Sequence, residues 1–283
     1  MTRQIGRFTL AAALGVAATV GLAAGSWAAD CDLPDGRYHF DFASGYPECF
    51  RDVQRGGEIA PGMDLGSGRH TSLNIMGTAG AGGATWLTIV DQVPGGPEGG
   101  NADNRYGSGF VCADILIQRF NNNKGAGVVA LLNEGVGQKG LALILYNAGN
   151  TDRLVLATVE GHPAQAGKLA IVKSKLGEGS TSVALGGLIQ ENAWYRVLLT
   201  VMVDGPPQIM GQVFKHADGT DPNSAISQVG GTLVYTPTSL PIGVDILGQN
   251  AIIGSAVGAV VNASVTNFSN KLEECQGTGG TAD

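Results

Sequence analysis

The densest run of oxygen-bearing side chains in the sequence is Asp218-Gly219-Thr220-Asp221-Pro222-Asn223-Ser224. Calcium takes six to eight oxygen ligands, which Asp, Asn and backbone carbonyls supply, so Asp218, Asp221 and Asn223 are candidate metal ligands. The competing and preferred reading is a polar turn, because Asp-Gly and Asp-Pro are common turn dipeptides. Calcium is the one cofactor the sequence leaves open. A second polar run, Asn101-Ala102-Asp103-Asn104-Arg105-Tyr106, sets an aromatic ring beside hydrogen-bonding side chains. Sugar sites need that combination of platform and polar groups. Asn101, Asp103, Asn104, Arg105 and Tyr106 are therefore candidate ligand-binding residues, with a flexible loop as the competing and preferred reading, and Asn101 to Asn104 is also a second calcium candidate. Asn122 and Asn123, in the polar run before Lys124, are a third place where a ligand could be reached. An ordinary strand connection explains that run equally well.

Reactive constellations are missing from the sequence. No Gly-x-Ser-x-Gly elbow, His-Glu-x-x-His pair or phosphate loop occurs. His39, His70, His162 and His216 stand far apart, and most read as surface or turn residues. No catalytic residue is assigned.

The chain opens with Arg3 and Arg7, an apolar stretch from Phe8 to Ala24, and Ser26-Trp27-Ala28. This is the pattern of an export signal, with cleavage expected after Ala28 and Ala29 as the near alternative. Residues 1–28 would then be removed, and the mature chain would be secreted, periplasmic or otherwise extracellular. No later segment is long and apolar enough to span a bilayer. The net charge of the whole chain is -7, and losing Arg3 and Arg7 takes it to -9. An acidic, sparsely charged surface argues against nucleic acid and anionic lipid as partners.

All four cysteines, Cys31, Cys49, Cys112 and Cys275, follow the signal. An even count in an exported chain implies disulfides, and four cysteines allow three pairings. Cys31 and Cys275 sit near the two ends, and sandwich folds commonly bring first and last strands together. The expected pairing is therefore Cys31–Cys275 with Cys49–Cys112.

Short apolar runs bounded by Gly, Asn, Asp and Pro dominate the chain, and long amphipathic helical patterns do not occur, which predicts an all-β sandwich or barrel. Tyr38, Phe40 and Phe42 alternate with Arg37, His39 and Asp41, giving a strand with one aromatic face. Gly140 to Tyr146 and Arg153 to Val159 flank the turn Asn147-Ala148-Gly149-Asn150 and form a hairpin. Trp194 to Val203 is a strand whose apolar face is Tyr195, Val197, Leu199, Val201 and Val203. Asp204-Gly205-Pro206-Pro207 connects it to Gln208–His216, and Ala259 to Phe268 closes the set. About a dozen strands result. Nothing marks a second domain, so residues 29–275 are expected to be one unit, with 276–283 a disordered tail.

The aromatic first strand, the Gly-Leu-hydrophobic hairpin at Gly140, the Trp-Tyr-Arg strand at Trp194 and the closing Asn267-Phe268-Ser269 together resemble the concanavalin-A-like (laminin-G-like) jelly roll. The resemblance covers roughly residues 35 to 270. It implies a β-sandwich of two antiparallel sheets. The family includes lectins, carbohydrate-binding modules, adhesive domains, glycosidases and lyases, so the fold alone selects no activity. Its glucanases set paired carboxylates on one strand as Glu-x-Asp-x-x-Glu, since a retaining mechanism needs two carboxylates about 5 Å apart. Glu134, Glu160, Glu178 and Glu191 each lack a second carboxylate two or four positions away. Its lyases use His, Tyr and Arg. Tyr195 and Arg196 are present, but Gln208-Ile209-Met210 has Met where the His belongs. The reading that follows is a secreted, non-enzymatic binding module for a glycan or cell-surface component. The alternatives are a polysaccharide-degrading enzyme of the same fold and a structural or adhesive envelope protein.

Overall fold

The computed structural model describes residues 37–42, 50–53, 57–63, 71–77, 84–89, 107–118, 124–132, 139–147, 151–161, 169–172, 182–240, 244, 248–256 and 262–277. The expected signal segment 1–28, Cys31, Cys49, residues 101–106, Asn122 and Asn123 lie outside the described residues, as do 278–283. In chain order the strands are β1 (His39–Phe40), β2 (Phe50–Val53), β3 (Gly57–Met63), β4 (Thr71–Gly77), β5 (Ala84–Ile89), β6 (Gly109–Ile117), β7 (Lys124–Leu132), β8 (Lys139–Asn147) and β9 (Asp152–Gly161). They continue as β10 (Leu169–Val172), β11 (Ser182–Ala184), β12 (Trp194–Met202), β13 (Gln208–His216), β14 (Ile226–Gln228), β15 (Leu233–Tyr235), β16 (Gln249–Ala256) and β17 (Asn262–Ser269). A single short helix, α1 (Leu272–Cys275), follows among the described residues.

The strands form two antiparallel sheets, so the protein is an all-β sandwich of the jelly-roll type. The first sheet runs β14-β13-β12-β6-β17-β4-β3, with β15 also on β13 and β1 also on β17. The second runs β10-β9-β8-β7-β16-β5-β2, with β11 also on β9. The predicted hairpins are present: Asn147 pairs with Asp152 across the β8–β9 turn, and Met202 with Gln208 across the β12–β13 turn.

Alternation along the strands builds the core. Val111, Ala113 and Ile115 on β6 and Val197, Leu199 and Val201 on β12 face the second sheet. There they meet Leu141, Leu143 and Leu145 on β8 in one buried cluster. The sheets approach closely at Gly211, where an added Cβ would collide with Leu143 Cδ1. The aromatic face predicted for the first strand is also present. Tyr38 stacks on Phe40 at 5.4 Å, and Phe40 on Phe42 at 6.3 Å.

The predicted single apolar face of the Trp194 strand is half of the arrangement. Its other face, Trp194, Arg196, Leu198 and Thr200, is buried as well. The second sheet is likewise buried on both sides: Val129, Ala142, Ile144, Val155, Ala157 and Ile253 form a second apolar cluster on its outward face.

The disulfide expectation is corrected. Cys275 is bonded to Cys112, not to Cys31, and Cys112 is therefore not paired with Cys49. The chain end does not stop beside the first strand. It continues past β17 into α1, which lays Cys275 over the outward face of β6 against Cys112 and Leu198.

Candidate functional site

Asp114 sits in the middle of the apolar strand β6. Because Ala113 and Ile115 face the core, Asp114 faces outward. It is nevertheless fully buried. A buried carboxylate needs partners, and the flanking strands bring them. Arg196 on β12 lies directly opposite in register. Its Nε donates to Asp114 Oδ1 at 2.8 Å and its Nη2 to Oδ2 at 2.6 Å, a bidentate pair. His216, at the end of β13, places Nε2 2.8 Å from Oδ1. Asn267 on β17 donates from Nδ2 to Oδ2 at 2.8 Å.

Asn267 reaches Asp114 through a backbone irregularity. The β17–β6 register shifts between Thr266 and Ser269, and Asn267 stands at φ 50°. That left-handed conformation within a bulge is one Asn tolerates better than most residues. Burial alone pushes the Asp114 carboxyl up. The charge of Arg196 and the bond to His216 outweigh it and hold the group at about 2. Burial also opposes the Arg196 charge, but Asp114 overcomes this and holds the guanidinium pKa above its usual value.

The cluster also anchors the loop between β13 and β14. His216 Nδ1 lies 3.0 Å from the Ser224 carbonyl. Asn267 Nδ2 also contacts Asn223 Oδ1 at 3.2 Å and the Pro222 carbonyl at 3.4 Å. Pro222 is buried, while Asp218, Thr220 and Asn223 are exposed. Within the loop, Asp218 Oδ1 accepts from the Thr220 N–H and hydroxyl at 2.9 and 2.7 Å. Asp221 Oδ1 accepts from the Asn223 N–H at 2.9 Å. The Ser224 hydroxyl donates to the Asp221 carbonyl at 2.9 Å. Each Asp side chain bonds the backbone two residues on, which is the geometry of an Asx turn. The polar-turn reading of this run therefore describes its internal bonding. Calcium would have to take these same oxygens from the turn. Among the described residues, no three His, Cys, Asp or Glu side chains stand together.

The remaining candidates divide by position. Loop 217–225 leaves the first sheet at the end where β6 finishes, since Trp194, at the start of β12, pairs with Leu116. β6 itself ends there, at Ile117, ahead of Asn122 and Asn123 in the sequence. β6 begins at the opposite end, at Gly109, after Asn101, Asp103, Asn104, Arg105 and Tyr106 in the sequence. The two ends are separated by the length of β6, roughly 27 Å.

Sequence reasoning missed the Asp114 cluster. His216 is buried and bonded at both ring nitrogens rather than being a surface or turn residue. Tyr195, set aside above as a lyase-like Tyr, caps a turn. Its hydroxyl accepts from the Gln190 N–H at 2.9 Å and donates to the Leu188 carbonyl at 3.2 Å. The available signal was the pair of lone opposite charges, Asp114 and Arg196, each inside an otherwise apolar strand, because such residues are almost never buried unpaired.

No family model matches the chain and no curated protein does. Solved structures do match. A carbohydrate-binding module, CBM66 from Bacillus subtilis, is 10% identical, with 78% of this chain and 93% of that one covered at a TM-score of 0.38. The cellulose-induced protein Cip1 is 14% identical over 82% and 95%, at 0.39. The carbohydrate recognition domain of Emp47p is 13% identical over 78% and 89%, at 0.37.

Proposed function

We propose that the mature chain is an exported, non-enzymatic binding module on a concanavalin-A-like scaffold. It recognises a glycan or a surface component through polar loops at the ends of the sandwich. The observation that carries this reading is the mounting of loop 217–225. Two buried side chains, His216 and Asn267, bond its base and are themselves held by Asp114, which Arg196 pairs, while Asp218, Thr220 and Asn223 remain in solvent. Rigid presentation of exposed polar groups reduces the ordering penalty of binding, which is what a recognition loop requires. Asp114, Arg196 and His216, residue types that could carry catalysis, are buried in bonds to one another, and His216 is bonded to the loop as well. Asn122 and Asn123 follow the end of β6 in sequence and are proposed as part of the same surface. Asn101, Asp103, Asn104, Arg105 and Tyr106 would form a separate one.

The test is a glycan array probed with the mature chain, with calcium and with chelator, followed by an activity screen on every polysaccharide bound. Binding that falls at least tenfold in an Asp218→Ala/Asn223→Ala variant supports the reading. No binding under either condition overturns it, and turnover of a bound polysaccharide overturns its non-enzymatic part. Dependence on calcium would assign Asp218, Asp221 and Asn223 as ligands.

A further inference from the structure

Residues 271–277 cross the first sheet from β17 towards β14. Cys275 is bonded to Cys112 on β6 and packs with Leu198 on β12, while Phe110 and Phe214 close over the pair. The Glu274 carbonyl accepts from Arg196 Nη1, and the Glu274 carboxylate lies 4.0 Å from His39 Nδ1. Gly277 turns at φ 72°, and a Cβ there would stand 2.8 Å from Ile226 Cγ1 and Cδ1. Ile226 follows loop 217–225 directly and pairs with His216. The segment therefore touches the loop's mount twice, once through Arg196 and once at the loop's base.

We propose that residues 271–277 form a redox-sensitive strap that holds loop 217–225 in its presented form. Release is a two-electron reduction. The Cys112–Cys275 bond breaks, each sulfur gains an electron and a proton, and an external dithiol supplies both and closes to its own disulfide. Both sulfurs belong to fully buried residues, so reduction follows fraying of the strap. Without the disulfide, the Arg196–Glu274 and Gly277–Ile226 contacts lose the covalent link that keeps them close. The loop then retains its bonds to His216 and Asn267 and the one its Gly219 carbonyl accepts from the Trp194 N–H. Any consequence for ligand binding rests on the function proposed above, but the strap's hold on the loop does not.

Hydrogen exchange tests this without a ligand. The amides of Asp218, Thr220, Asp221, Asn223 and Ser224 all donate hydrogen bonds within the loop. In a Cys112→Ala/Cys275→Ala variant they should exchange roughly tenfold faster or more, while β8 keeps its protection. Unchanged loop exchange alongside an opened 272–277 would overturn the proposal. If the variant loses protection everywhere, Ile226→Ala with the disulfide intact decides. Faster loop exchange there supports the strap, and unchanged exchange overturns it. A glycan array that finds no ligand, with the exchange result intact, counts against the binding reading alone.

Discussion

On the outward face of the first sheet, Asp114, Arg196 and His216 are buried with their polar groups bonded. On the outward face of the second sheet, the buried cluster of Ala142, Ile144 and Val155 is apolar apart from the Tyr146 hydroxyl. Both solutions satisfy a strand that is hidden on two sides, but they carry different information. An apolar face needs only close-packed cover. A polar face needs each donor and acceptor met in one geometry, and so it fixes the position of whatever supplies them. Loop 217–225 is attached to the first sheet through such bonds, from His216 and Asn267.

The sharpest way to break the comparison is Asp114→Ala. It leaves Arg196 and His216 without their anion in a buried site and should destabilise the fold by about 3–5 kcal/mol, read by denaturant unfolding at neutral pH. Converting the cluster to the second sheet's solution, as Asp114→Leu/Arg196→Met/His216→Leu, should recover most of that loss, since well-packed apolar replacements of buried ion pairs are often neutral or better. The triple variant should still expose loop 217–225 to faster hydrogen exchange. A stable triple variant with an unmoved loop would show that the cluster positions nothing.

Removing the disulfide as Cys112→Ala/Cys275→Ala ranks next, at about 2–5 kcal/mol by the same unfolding measurement. Peptide mapping of the oxidised chain should recover Cys112 linked to Cys275. A Cys31–Cys275 peptide would contradict the arrangement of α1 over β6.

The sandwich class, the two hairpins and the inward face of β12 were legible because alternation and turn residues are local signals. The outward face was not. Asp114 is one charge in the run Val111-Cys112-Ala113-Asp114-Ile115, and its partner Arg196 is 82 positions away. Only the β6–β12 register gives either residue a role. Asn267 was visible as part of a closing strand, but its contacts depend on a left-handed turn of backbone that alternation cannot indicate. Strand β3 escaped notice because Gly57, Pro61 and Gly62 interrupt its pattern. The structure places it at the end of the sheet order, where a Pro in a strand is tolerated. The disulfide was misread because the rule that chain ends meet ignores a helix folding back over a central strand.

Acid should separate the two sheets by a smaller margin. The Asp114 carboxyl is held at about 2 in the fold, against an ordinary 3.8. A depressed carboxylate stabilises the folded state fully above its unfolded value and loses that contribution as the pH falls towards the folded one. About 2 kcal/mol should therefore disappear between roughly pH 4 and pH 2. Unfolding free energies measured across that window should show the slope in the native chain. They should show less of it in the apolar triple variant, in which position 114 no longer titrates.

The smallest expected change in stability is at Asp218. Its carboxylate accepts from the N–H and hydroxyl of Thr220, two residues on, in a setting open to water. Water can replace both bonds when the side chain is removed, so Asp218→Ala should lower stability by no more than about 1 kcal/mol. Asp114→Ala removes the same functional group, and the several-fold gap between the two losses measures what burial adds to a carboxylate. If loop 217–225 is a recognition surface, the ranking reverses for binding. Asp218→Ala should weaken glycan capture far more than it weakens the fold, because its loss removes a presented group and leaves the mount intact. A variant that loses stability and binding in proportion would place Asp218 in the mount instead.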